Sequence, residues 1–346
     1  MKVIIVGAYQ SEIHEYPLYK KFLEKGWEAN KLTYYSFNSF QKFLCSLPIF
    51  SKYFAKKLIS KNENKIYRRI LTLEPDIIFF YRANIFSQFY LNKLKNDFPN
   101  IKLILYNNDN AFSQMYEKYY WHNYLSNCKF ADYILAYRKS DIIEYKKYSQ
   151  AEIIYFPPFL TDFIRDFPLT KNIKRSGIAF IGHYENDNRL DYLSSLKLED
   201  LPVEVHGPKS GWNIAILKFK KGLKFFPVRG FKYKNYISRI SKLLIGICFL
   251  SKLNEDNITR RCFELTYLGV CMVSEYNEEL ANLFKENEEA IYFRNKSEFL
   301  EKIKYLYSNP KVAMEIGLAG RKKCLELNVF SNERIELLEK KLKLKV

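Results

Sequence analysis

Along this chain, short unbroken apolar runs alternate with stretches in which apolar residues recur every three or four positions. Runs without a polar face read as strands buried on both sides of a parallel sheet, and the wider spacing reads as amphipathic helices. On this reading residues 3–6, 28–35, 76–81, 102–106, 133–136 and 152–155 are strands, with helices over 18–25, 86–95, 112–126 and 139–148. Pro157-Pro158 and the polar run from Thr161 to Ser176 then interrupt the pattern as a linker would. It restarts with strands at 177–181, 203–205, 243–249, 270–274 and 290–292, and helices fill the gaps. This alternation, met twice, predicts an α/β protein of two Rossmann-like doubly wound domains, 1–160 and 177–328, facing a cleft. Residues 161–176 join them, and a helix over 329–346 is free to cross back to the first domain.

One stretch carries more chemistry than the rest. Between the apolar runs 243–250 and 270–273 lies a short helix with Ile258, Cys262, Leu265 and Leu268 on one face and Arg260, Arg261, Glu264 and Tyr267 on the other. Gly269 stands where a C-terminal cap belongs. In an open α/β sheet ligands sit beyond the carboxyl ends of strands, where helix N-termini offer unpaired N–H groups to anions. Asp256 to Arg261 is such a helix start with two added guanidinium groups, and Glu264, one turn on, suits the hydroxyls of a sugar. The plain alternative is an Arg–Glu pair on a solvated helix face, worth only about 0.2–0.5 kcal/mol.

The segment RCFELTYLGVCMVSEYNEELANLF, with the later Glu289 to Phe293 and the helical stretch from Phe299 to Gly320, resembles the carboxyl-terminal half of GT-B fold glycosyltransferases. Its R-x-F-E-x-x-x-x-G pattern, followed by a strand and an E-E-L helix, is similar to the spore-maturation (CgeB-like), group 1 type. Asn107-Asn108-Asp109, Ile178 to Gly182 with Arg189 behind it, and Val205-His206-Gly207-Pro208 extend the likeness over most of residues 75–325. The resemblance implies transfer of a sugar from a nucleotide-diphosphate sugar. It also implies that a basic residue behind Gly182, here Arg189, meets the diphosphate. His183 stands where the broader retaining family has an arginine.

Composition narrows the partners. The 346 residues exceed what one core serves, and 48% hydrophobic with 17% aromatic content excludes a disordered chain. A net charge of +18 favours anionic partners: nucleotide diphosphates, lipid-linked phosphates, phospholipid head groups or nucleic acid. No helix-turn-helix, zinc or RNP-type signature is present, so nucleic acid is not expected as a partner. Cys45, Cys128, Cys248, Cys262, Cys271 and Cys324 lack metal spacing and read as buried, reduced thiols of a cytoplasmic protein. No apolar stretch is long enough for a leader or a membrane span, so membrane contact is expected to be peripheral, on the inner face. Two basic segments bear on that. Residues 41–69 interleave lysines with large apolar residues, as an interfacial helix pair on anionic lipid would; an amphipathic helix packed on the sheet fits the same pattern. Residues 213–234 are also basic and carry no acid; they suit a membrane surface, a cleft border or a solvated loop.

The reaction itself sets further expectations. Gly182 and Gly207 allow close backbone approach to a ligand, with His183 and His206 beside them. Departure of a diphosphate needs positive charge, and with no D-x-D pair a metal-free mechanism follows, without a cofactor beyond the nucleotide-sugar co-substrate. Arg189, Arg261 and the helix start at Asn257 to Thr259 would hold the diphosphate, and Glu264 the ribose. The acceptor, a surface glycan or lipid-linked sugar, would meet Glu12, His14, Arg82, Asn84 and Asp109 in the first domain. Asp109 or His14 would take the hydroxyl proton if the reaction inverts, and would only orient the acceptor if it retains. Asp109 equally suits a loop-stabilising Asx turn. A catalytically silent nucleotide- or sugar-binding module is the rival reading of the whole chain.

Overall fold

A computed structural model describes residues 1–34, 51–116, 120–167 and 174–342 of the chain, with side chains of the second segment from residue 56. Two units emerge: Met1–Pro157 together with Ser331–Val346, and Pro158–Phe330.

The first unit runs β1 (Lys2–Gly7), α1 (Glu15–Glu24), β2 (Glu28–Thr33), α2 (Ser51–Leu73), β3 (Ile77–Tyr81), α3 (Gln88–Asp97), β4 (Lys102–Asn107), α4 (His122–Asn127), β5 (Tyr133–Ala136), α5 (Lys139–Tyr145) and β6 (Glu152–Tyr155). Its sheet has the order β2-β1-β3-β4-β5-β6 and every pair is parallel. The central strand β3, IIFFY, is buried at every residue, which is why it reads as an unbroken apolar run. Chain order reverses between β1 and β3, so the loops leaving these two strands part in opposite directions and open a crevice at their carboxyl ends.

The second unit holds α6 (Asp162–Arg165), β7 (Ile178–Ile181), α7 (Arg189–Leu198), β8 (Val203–His206), α8 (Lys209–Phe219), α9 (Tyr233–Ile240), β9 (Ile245–Cys248), α10 (Arg260–Tyr267), β10 (Cys271–Glu275), α11 (Glu278–Ala281), β11 (Ile291–Phe293), α12 (Lys296–Ser308) and α13 (Pro310–Glu326). Its parallel sheet is ordered β11-β10-β9-β7-β8, with the reversal between β7 and β9. Two apolar layers sandwich it: Phe180, Trp212, Phe249 and Phe299 lie on one face, and Cys248, Leu265, Met272 and Tyr292 on the other. The chain then re-enters the first unit as α14 (Ser331–Lys341), which packs on α1; Trp27 Nε1 donates to Glu339 Oε1 at 3.1 Å, and Lys25 pairs with Glu339 at 3.2 Å.

Three expectations change. Of the helix read over 112–126, the described residues show only α4, because Asn110 Oδ1 accepts from the N–H of Phe112 and Ser113 Oγ from that of Met115, holding the start of the segment in turns. The stretch read as a linker contains α6, anchored by the fully buried Ile164 and by Phe163 against the ring of Tyr233, so the second unit begins at Pro158. The pair of alternatives read over 41–69 narrows in part: residues 51–69 belong to the long helix α2, whose Ile66 and Ile70 are buried against the sheet as a packed amphipathic helix requires. Residues 41–50, Cys45 among them, lie outside the described residues. The other five cysteines are free and buried.

Candidate active site at the carboxyl ends of the strands

In the second unit β7 alternates, sending Ile178 and Phe180 to one layer and Ala179 and Ile181 to the other, and ends in Gly182. Gly182 donates its N–H to His206 O at 2.8 Å and its carbonyl accepts from Trp212 Nε1 at 2.8 Å. Gly207, after β8, is bound through its N–H to Arg229 O at 3.2 Å. A Cβ on Gly207 would lie 2.1 Å from Gly182 O, so these two turns touch backbone to backbone. His206 is a structural histidine: it hydrogen-bonds Glu204 at 3.0 Å and stacks on Phe231. Arg239 also donates to Glu204; burial works against that carboxylate's charge, yet Arg239 and His206 outweigh it and hold its pKa below the ordinary range.

The helix with the arginines is α10. It is not amphipathic in the way its sequence suggests, because Cys262 through Tyr267 are all buried, with α13 packed across it. Thr259 is the N-cap residue in extended backbone, its hydroxyl turned to the sulfurs of Cys248 and Cys262 at 3.9 and 3.8 Å. Those two sulfurs are 3.7 Å apart; the contact with Cys262 lowers the pKa of Cys248 and raises that of Cys262. Arg260 turns away, donating to Phe159 O at 3.1 Å. Arg261 instead lies over the ring of Phe180, 5.5 Å from its centroid, at the reversal between β7 and β9. Its Nε is buried without a hydrogen-bond partner among the described residues. Burial opposes its charge, but Tyr236, Cys248 and Glu264 outweigh that and raise its pKa.

Glu264 is 3% exposed and accepts a hydrogen bond from the hydroxyl of Tyr236 on α9. That rules out the solvated-face reading of this carboxylate. Burial, then Glu264, pushes the Tyr236 hydroxyl far above its usual pKa, so it stays a donor. Tyr236 was not legible as a site residue; its place at the middle of an apparently ordinary helix gave no signal.

Arg189 sits otherwise than expected for a diphosphate contact. It is 4% exposed and its guanidinium is bound to Asp187 at 2.7 and 2.8 Å, to His183 O at 2.8 Å and to Leu250 O at 3.3 Å. It ties the loop after β7 to the loop after β9, and lines a pocket of about 150 Å³ with Asp187, Tyr192, Phe249, Lys252 and Glu275. The side chain of His183 is exposed. Asn257 is exposed too, donating to Glu279 Oε2 at 3.3 Å while its carbonyl accepts from Asn277.

In the first unit the corresponding reversal gathers a second polar group. Arg82, at a left-handed φ of 56°, follows β3 and pairs with Asp109 at 3.0 Å while donating to Asn108 Oδ1 at 2.9 Å. The Asx turn in this loop is made by Asn107, whose Oδ1 accepts from the N–H of Asp109 at 3.1 Å, and not by the Asp109 carboxylate. His14 Nδ1 is 3.2 Å from the hydroxyl of Tyr81. The sequence reading missed Glu15. It is 3% exposed, accepts from the N–H of Ala8 at 3.0 Å through Oε1, and has no partner at Oε2 among the described residues. Burial raises its pKa, against the pull of backbone N–H groups and Arg82. Its position in the first helical turn after a β1 loop was the available signal.

Comparison with known proteins fits this architecture. Residues 189–339 match the model of a family described as glycosyl transferase-like. No curated protein matches in sequence. Among solved structures, the chain is similar to sucrose-phosphate synthase (tll1590) from Thermosynechococcus elongatus, with TM-score 0.72 at 9% identity over 99% of both chains. Anabaena Alr3699/HepE in complex with UDP-glucose has TM-score 0.64 at 9% identity, over 99% of this chain and 100% of that one. The UDP-GlcNAc 2-epimerase from Neisseria meningitidis bound to UDP-GlcNAc has TM-score 0.58 at 10% identity over the whole of both. The chain therefore shares with these structures an α/β fold of two parallel sheets, and its residues 189–339 match the glycosyl transferase-like family model.

Proposed function

We propose that the protein is a glycosyltransferase that moves a hexosyl group from a nucleotide-diphosphate sugar to a hydroxyl of a surface glycan or glycolipid, without a metal. The observation that carries this reading is Arg261: a guanidinium at the start of a helix, at the sheet reversal, with a buried Nε that has no partner among the described residues. A pyrophosphate oxygen is the ligand that such a donor, the adjoining helix N–H groups and the close backbone at Gly182 suit best. The positive charge there would stabilise the departing diphosphate. Glu264, one turn along, would exchange its bond from Tyr236 for, or share it with, the ribose hydroxyls. Gly207 would border the base. Arg189 would act by holding the loops after β7 and β9 in place, and Asn257 and Thr259 by shaping the helix start. On the acceptor side, Asp109, paired with Arg82, and His14 are the groups we assign to orienting the hydroxyl or taking its proton. The R-x-F-E-x-x-x-x-G pattern supports the CgeB-like branch.

The same fold occurs in an epimerase, so the test must separate transfer from epimerisation. A thermal-shift screen against UDP, GDP, CMP and TDP sugars identifies the donor, since a ligand bound only by the native state raises the melting temperature. Incubation of that donor with a glycan or glycolipid extract should release nucleoside diphosphate and extend the acceptor, and Arg261→Ala should abolish both. Conversion of the donor to its epimer without acceptor extension, or binding without turnover, would overturn the proposal.

A further inference from the structure

The basic segment singled out at residues 213–234 is not consumed by the donor site, and its surface has an unusual make-up. From Val205 to Asn254 the sequence contains no aspartate or glutamate. Helix α8 buries Trp212, Ala215 and Ile216 in the second unit's core. Its opposite face presents Ile214 at 65% exposure and Leu217 at 57%, then Lys218 one turn on from Ile214, and exposed Lys221 follows just beyond the helix end. The chain reverses through left-handed Lys220 and Gly222, and Asn213 exchanges two hydrogen bonds with the backbone of Val228 at 2.8 and 3.4 Å. The returning segment is thereby held alongside α8, and it carries Leu223 at 56% and Phe226 at 45% exposure. Lys221 reaches Asp191, while Lys218, Lys220, Lys232 and Lys234 meet no carboxylate among the described residues.

Clustered aliphatic and aromatic tips facing water mark an interaction surface rather than ordinary solvent-facing helix. The unpaired lysines around them specify an anionic partner. A nucleic acid would use the lysines and leave the aliphatic tips in water; the head-group boundary of an anionic bilayer takes both, apolar tips inward and ammonium groups at the lipid phosphates. We propose that this face of the second unit docks on an anionic lipid bilayer, with Ile214, Leu217, Leu223 and Phe226 entering the boundary region. The inference is independent of the sugar-transfer reading.

The test is co-sedimentation of the full chain with phosphatidylcholine vesicles and with mixed phosphatidylcholine–phosphatidylglycerol vesicles, at low and high salt. Binding to the mixed vesicles alone, weakened by salt, is expected. The variant Ile214→Ser/Leu217→Ser/Leu223→Ser should lower that binding by about tenfold or more, as should Lys218→Glu/Lys220→Glu, each with an unchanged melting temperature. Neutralising Lys56, Lys57 and Lys61 on α2 should leave it intact. No binding, equal binding to neutral vesicles, binding undiminished in both variants, or retention on a nucleic acid in place of vesicles would each overturn the proposal.

Discussion

The guanidinium of Arg261 occupies the space that a side chain at residue 182 would need: a Cβ on Gly182 would lie 2.6 Å from Arg261 Nη1 and 2.8 Å from the ring of Phe180. Residues far apart in sequence thus depend on each other, one ending β7 and the other opening α10. Gly182→Ala should displace the guanidinium and weaken the donor without unfolding the protein. Arg261→Lys should do the same, since a lysine supplies no planar fork. Loss of a charge-assisted hydrogen bond of about 1.5–3 kcal/mol corresponds to a roughly 10- to 150-fold drop in affinity by calorimetry with the nucleotide sugar found in the screen. Unchanged affinity in both variants would remove Arg261 from the site.

Tyr236 and Glu264 form the second relationship that can be tested. Tyr236→Phe leaves a buried carboxylate short of a donor, an omission that costs about 1–3 kcal/mol. The melting temperature should fall, and saturating nucleotide sugar should restore part of the loss by supplying ribose hydroxyls in place of the phenol. A variant as stable as the parent would show that the bond is dispensable.

Arg189 separates a structural from a ligand-binding role. Removing one partner of a buried ion pair costs about 3–5 kcal/mol, because the other charge is left uncompensated. Arg189→Met and Asp187→Asn should both lower stability in urea unfolding, with donor affinity of the folded fraction little changed. Full stability with selective loss of donor binding would place Arg189 on the diphosphate instead.

Glu15 makes a pH-dependent prediction. Its folded pKa lies above that of the unfolded chain, so its contribution to stability is full below the unfolded value of about 4.3 and is lost as pH rises through the raised folded value. Glu15→Gln keeps an acceptor for the N–H of Ala8 and removes the ionisation. Its stability should gain on the parent as pH increases from about 4 toward neutrality, read by chemical denaturation at each pH. Parallel profiles for the two proteins would mean that the Glu15 carboxyl titrates as it does in the unfolded chain.

The strands were legible because each is an apolar run whose both faces meet helices: Val3 to Val6, Ile77 to Phe80 and Ile245 to Cys248 carry their burial in their composition. The helix 112–126 was misread because Asn110 and Ser113 cap backbone groups locally, a competition that periodicity does not register. Likewise Asp162–Arg165 sat in a polar stretch whose two apolar residues were enough to seat one helical turn.

By itself, the sequence determined the two-sheet α/β class and the closing helix, since strand runs and helical spacing are local properties. Only the tertiary structure decided which arginine is available. Arg189 and Arg261 look alike along the chain, yet folding brings Asp187 and the carbonyls of His183 and Leu250 to the first and leaves the Nε of the second without an acceptor among the described residues. The partners of a buried cation come from loops that the sheet order brings together, and no spacing within the sequence records that meeting.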